Sequence, residues 1–259
     1  MAFKPKNTSR GGNLPTYYQN VLDPLETLTF AAAHTDKIAL GTSVTDMLFH
    51  NPVILARRFA TLDVLSHGRS ICGLGIGWSE DEYIASNIPY DHRSARADEF
   101  VQALIRIWTE DIVEFKGRYY EIPASKIGPK PIQRPRIPIY LAGFSPNTFS
   151  RVVKYADGWL PSADRLDFFE HLTDGIKTLK EQRKREIRNP EIITLAFPFH
   201  ADPHKDGTER PPFSGTVDDV RDDLKRLKEI GVDHAILQLI EPDLNGVIDT
   251  AKQVSKSVK

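Results

Sequence analysis

Apolar residues along this chain recur with two periods that take turns, every third or fourth position and then continuous short runs. Residues 1–22 carry neither period and are rich in Gly, Asn, Pro and Lys, so a loop or flexible arm is expected there. Asp23-Pro24-Leu25-Glu26 then supplies an N-cap, a proline at the first helical position and an acidic first turn, which predicts a helix to about His34. Lys37 to Val44 reads KIALGTSV, an apolar β-branched run suited to a buried parallel strand, ending in polar Thr45 and Asp46. Asn51-Pro52 opens a second helix with Leu55, Phe59 and Leu62 on one face and Gly68 placed as its terminator. A strand from Ser70 to Ile76 follows, then a loop over residues 77–94, and a helix with Phe100, Val101, Leu104, Ile105 and Trp108 on one side.

The alternation is interrupted once. Ile112–Phe115 and Tyr119–Ile122 flank Lys116-Gly117-Arg118, which predicts a small hairpin insertion before a proline-rich stretch. It resumes with a strand at Ile137–Ala142, a helix opened by Ser145-Pro146 and a short strand at Gly158–Pro161. A helix bearing Phe169, Leu172, Ile176 and Leu179 precedes a strand at Ile192–Phe199. Thr216 and Asp219 cap a helix with Val220, Leu224 and Leu227, Gly231 ends it, and His234–Leu239 forms a strand before a C-terminal helix. Strand-helix alternation predicts a parallel α/β sheet, closed as a barrel or open and doubly wound. The expected strands number six, against the eight of a closed (β/α)₈ barrel.

Composition narrows the function classes. With 259 residues, 40% hydrophobic and 27% charged, the chain suits one large globular domain, 23–259, after the 1–22 arm. A formal net charge of −1 offers no field to gather nucleic acid or an anionic membrane. The single cysteine, Cys72, excludes an internal disulfide and a thiolate metal site, and together with the lack of a signal-length or membrane-length apolar run it predicts a cytoplasmic protein.

From Asp23 to Pro161 the chain resembles the luciferase-like monooxygenase superfamily, which includes bacterial luciferase and F420-dependent oxidoreductases. The matching pieces, in order, are KIALGTSV, NPVILARRFATLDVLSHGR, CGLGIGWSEDEY, DEFVQALIRIWTED followed by FKGRYYEI, GPKPIQRPRIPIYLAG and KYADGWLPS, with SGTVDDVRDDLKRLKEIGVDHAILQL resembling the family's last helix and strand. The resemblance implies a (β/α)₈ TIM-type barrel with a small hairpin insertion. It also leads to the expectation that the chain begins after the family's first two barrel strands, without the acidic residue and histidine those bring near the flavin ring.

In such a barrel the ligand site lies at the C-terminal ends of the strands. The residues there are Thr45 and Asp46, Gly77 and Trp78, Gly143 to Pro146, Ser162, His200 and Glu241. By resemblance, Ser43-Val44 corresponds to a non-prolyl cis peptide in a bulge against the deazaflavin; the plain alternative is a pair of ordinary strand residues. Gly75, Gly77 and Trp78 are implied to line the cofactor cleft, although paired glycines at a strand end also make a simple turn. Ala142, Gly143, Phe144 and Ser145 join a strand to a helix whose free N–H groups can hold a phosphate, and Ser145 serves as N-cap in either case. His50 can reach the cleft but reads more simply as solvated; the acidic run Glu80-Asp81-Glu82 reads most simply as a solvated face, with acid or base work as the alternative; and His200 with His204 lacks the further ligands of a metal site.

The implied activity is redox chemistry on a small organic substrate. Two cofactors compete: F420, exchanging a hydride, is favoured, and reduced FMN with oxygen, supplied by a separate flavin reductase, is the alternative. A third possibility is a non-catalytic binding or dimerisation module. A homodimer is expected, for which Leu55, Phe59 and Phe100 are candidate surface residues that core burial explains equally well; the catalytic base is not identified.

Overall fold

The computed structural model describes residues 21–163, 167–183, 190–196, 210–238 and 244–257. They fall into two compact units, Met1–Tyr140 and Leu141–Lys259. In the first unit, helix α1 (Pro24–Ala33) is capped by Asp23, whose carboxylate accepts the Leu25 and Glu26 N–H groups. The first strand is broken in two. β1 (Leu40–Gly41) and β2 (Thr45–Asp46) both run parallel to β3 (Ser70–Gly75), so the single strand expected from Lys37 to Val44 starts later and continues past its predicted end. Helix α2 (Pro52–Leu65), capped by Asn51, lies between them in sequence.

The core of this unit is the apolar face foreseen for α2 and for α4 (Arg93–Thr109). Leu55, Phe59 and Phe100 are fully buried there, and Trp108 Nε1 donates to the Ala56 carbonyl at 3.0 Å. Of the two readings of these side chains, core and dimer surface, their burial selects the core. Between β3 and α4 the predicted loop holds a short helix, α3 (Glu80–Ala85), N-capped by Ser79 and anchored by buried Tyr83. The hairpin insertion is present as antiparallel β4 (Val113–Lys116) and β5 (Glu121–Ser125), its second strand later than predicted. One carboxylate, Glu99 on α4, accepts the N–H groups of Arg118, Tyr119 and Tyr120 and so fastens the turn.

A buried aspartate organises the rest of the unit. Asp63 on α2, with no exposed surface, accepts hydrogen bonds from Ser70 Oγ at 2.7 Å, from the Ile132 and Gln133 N–H groups, and from Gln133 Nε2 at 2.6 Å. It joins helix, strand and the proline-rich stretch at one point. β6 (Ile139–Leu141) then begins beside β3, where the Cys72 N–H donates to the Pro138 carbonyl.

The second unit repeats the arrangement. α5 (Pro146–Tyr155) and α6 (Phe168–Arg183) carry the expected apolar faces, with Phe169, Leu172, Ile176 and Leu179 buried. β7 (Gly158–Trp159) and β8 (Ser162–Ala163) form a second broken strand, both parallel to β9 (Glu191–Ala196), which also pairs β10 (His234–Leu237). Counting each broken pair once, the parallel strands occupy the six predicted positions. Helix α7 (Val217–Ile230) has the reciprocal Thr216–Asp219 cap and ends at Gly231 in the left-handed region, as read from the sequence. α8 (Leu244–Ser257) follows. None of the described helices is long and apolar enough to cross a membrane.

Candidate functional site

Side-chain alternation decides which residues at the strand ends face away from the helices. On β3, Ser70 bonds Asp63 of α2, so Ser70, Cys72 and Leu74 turn toward the helices and Ile71, Gly73 and Gly75 turn to the opposite face. Beside that face the Thr42 hydroxyl donates to the Gly73 carbonyl at 2.6 Å, and the Ser43–Val44 peptide is cis. Pairing then resumes, Thr45 with Leu74 and Asp46 with Gly75. Val44 and Asp46 both lean over Gly75: a Cβ built there would lie 2.6 Å from Val44 Cγ2 and 3.0 Å from Asp46 Oδ1. Ser43 is exposed and Val44 half-buried, so this turn of backbone is presented at the surface of the strand ends.

Gly77 completes the arrangement. Its φ of +71° suits glycine, and its N–H donates to the Asp46 carboxyl. Burial pushes that carboxyl up to about 6; the nearby Glu82 adds to the rise and the Gly77 N–H opposes it. Burial also raises Glu82 above the usual carboxylate range. Tyr83 donates its hydroxyl to the Ile76 carbonyl and meets Phe49 at a tilt, 4.8 Å away, and Tyr90 edge-on, 5.2 Å away. Its phenol is pushed up to about 12, by burial first and by the Asp46 charge second, with Arg93 and Arg96 opposing. Trp78 is half-buried beside them. Among the described residues, Thr45 Oγ1 is the buried side-chain polar atom without a hydrogen-bond partner.

The second unit holds a turn of its own. From β6 the chain passes through Ala142, Gly143 and Phe144, all half-buried, to Ser145, which caps α5 by accepting the Thr148 N–H at 3.1 Å. Gly143, with φ of +121°, lies where a Cβ would be 2.9 Å from Thr148 Oγ1, and its carbonyl accepts Trp159 Nε1 at 2.8 Å. Phe144 meets the Trp159 ring edge-on at 5.4 Å and His171 at 5.0 Å. Ser145, Pro146 and Asn147 are exposed, so the first turn of α5 opens to solvent.

Sequence reasoning placed Asp46 at a strand end but gave it no role, and read Glu80, Asp81 and Glu82 as a solvated face. Glu82 instead is half-buried and faces Asp46. The one signal available was an acidic residue just past a TSV run, opposite a strand ending Gly-Ile-Gly. His50, read as solvated, is half-buried, and burial together with Arg58 lowers its pKa. Ser162 sits in β8, while His200, His204 and Glu241 lie outside the described residues. No group of three potential metal ligands occurs among the described residues.

Known proteins resemble this chain in sequence and in fold. The family model described as luciferase-like monooxygenase matches residues 9–210. An uncharacterised protein of Mycobacterium tuberculosis is 35% identical over 181 residues, 69% of this chain and 62% of that protein. The F420-dependent glucose-6-phosphate dehydrogenase of Amycolatopsis mediterranei is 35% identical over 181 residues, 67% of this chain and 54% of the enzyme. The chain thus spans little more than half the length of these curated relatives. Among solved structures, the monooxygenase RslO1 from Streptomyces bottropensis superposes with a TM-score of 0.80 at 23% identity, covering 91% of this chain and 82% of that one. The coenzyme F420-dependent tetrahydromethanopterin reductase from Methanopyrus kandleri gives 0.77 at 20% identity, covering 93% and 89%. The fold is therefore the luciferase-like TIM-barrel type.

Proposed function

We propose, from the premise that this chain belongs to the luciferase-like monooxygenase family, that it is an oxidoreductase exchanging a hydride between F420 and a small organic substrate. What carries the choice of cofactor is the 35% identity, over 181 residues, to a dehydrogenase named for F420. The residues at the strand ends fit a flat ring: Ser43, Val44 and Gly77 present backbone and small side chains. When bound, the deazaflavin supplies the hydride-accepting or hydride-donating carbon. The Ser43-Val44 turn, held against Gly75, orients the ring, and Gly75, Gly77 and Trp78 line its cleft. In the second unit, taken by itself, Ala142, Gly143, Phe144 and Ser145 lead into the open first turn of α5, whose helix dipole favours a phosphate charge.

A second reading keeps reduced FMN and oxygen, with a flavin reductase as partner; the superposition on RslO1, a monooxygenase, favours it. Fluorescence and absorbance titrations of the purified protein separate the two. F420 is expected to bind tightly and FMN weakly, and tight binding of FMN without F420 would reverse the assignment. The proposal includes a homodimer, which light scattering checks: a stable monomer removes it.

A further inference from the structure

We propose that the Asp46 carboxyl is the proton-accepting group of this site, the base for a hydride transfer from a hydroxyl-bearing carbon. The inference rests on the F420 reading above and names the base that reading lacks. A hydride leaving such a carbon must be matched by loss of the hydroxyl proton. With the deazaflavin bound, the C–H electron pair would pass to it, the O–H bond would break as the C=O bond forms, and an Asp46 oxygen would take the proton, the substrate losing the two electrons that the ring gains.

Three observations place Asp46 for this work. It pairs with Gly75 on the face of β3 turned away from α2, at the strand ends where this fold puts its chemistry. It stands two residues beyond Val44, and both approach the empty Cβ position of Gly75. The residue is half-buried, and its carboxyl accepts the Gly77 N–H, which fixes its direction. The groups that bear on it are Glu82 and Tyr83 from α3, with Arg93 and Arg96 of α4 acting on Tyr83; β3 brings no charge. Burial and the Glu82 charge keep the carboxyl about half protonated near pH 6, suited to taking a proton at one step and releasing it at the next.

The test uses the whole chain and two readouts that need no substrate. Carboxyl ¹³C resonances are titrated, with Asp46→Asn identifying the signal. Separately, carbodiimide-driven coupling of glycine ethyl ester is mapped by peptide mass spectrometry with and without F420, whose binding is followed by its own fluorescence. The expected results are a midpoint near pH 6 that falls in Glu82→Gln, and coupling at Asp46 slowed at least tenfold by F420. A midpoint at the ordinary aspartate value, or unslowed coupling while F420 is bound, overturns the proposal. F420 fluorescence that never responds to the protein sinks the cofactor reading instead, and the carboxyl's own midpoint tells the two failures apart. Asp46→Glu, which keeps an acid at the position, guards against a folding defect in Asp46→Asn and is expected to retain a raised midpoint.

Discussion

Val44 Cγ2 fills the place where a side chain on Gly75 would begin, 2.6 Å from that missing Cβ. Val44 lies directly before β2 and Gly75 ends β3, so moving either backbone disturbs the pairing of Asp46 with Gly75. Gly75→Ala is therefore expected to cost about 1–3 kcal/mol, the range for forcing a methyl into a filled core. It is also expected to weaken F420 binding at least tenfold. Urea unfolding and a fluorescence titration check the two effects independently.

The raised Asp46 carboxyl sets a pH dependence whose sign follows from linkage. Its folded-state value of about 6 exceeds the ordinary 3.8, so its stabilising contribution is complete below about pH 4 and is lost as pH rises through 6. Each pH unit between the two values is worth about 1.4 kcal/mol, so the loss above pH 7 is at most about 3 kcal/mol. Asp46→Asn, neutral at every pH, is expected to be the more stable protein at pH 8 and equal to the parent near pH 3.5. Urea midpoints across that range measure the difference, and curves that stay parallel count against it.

Asp63 supports a sharper expectation. Truncation to Ala leaves the Ile132 and Gln133 N–H groups and the Ser70 hydroxyl without their acceptor. Buried donors stripped of a charged partner cost about 3 kcal/mol or more, enough to consume much of a small domain's stability. Asp63→Asn keeps one acceptor oxygen and is expected to lose less. Thermal unfolding of the pair orders them.

Gly175 reverses the usual helix rule. Replacing a helical glycine by alanine normally gains up to about 1 kcal/mol. Here a Cβ would lie 2.3 Å from the Trp159 ring, which already donates to Gly143 and packs against Phe149. Gly175→Ala is expected to destabilise the second unit and to shift Trp159 fluorescence; unchanged emission would show the ring free to move.

What the sequence disclosed and withheld follows from the range of the interactions. Asp23, Asn51, Ser145 and Thr216 were legible as caps because each satisfies an N–H two or three residues ahead, a local event that residue type nearly decides. The apolar faces of α2, α4 and α6 were legible by period. Helix α3 was not: six residues with one buried side chain, Tyr83, carry no period to detect. The break between β1 and β2 was equally hidden from periodicity, and only likeness to a family pointed to Ser43 and Val44. The meeting of Asp46 with Gly77 spans 31 positions and depends on strand register, so nothing near Asp46 in the chain announced it.

Cys72 gives the molecule a built-in clock. Its sulfur is sealed within the first unit and burial holds the thiol well above its usual ionisation, so a maleimide in solution finds no thiolate to attack while the fold stays shut. Because the chain has no second thiol, each labelled molecule records one opening of the strand between α2 and α3, and the labelling rate times how often that part of the protein breathes.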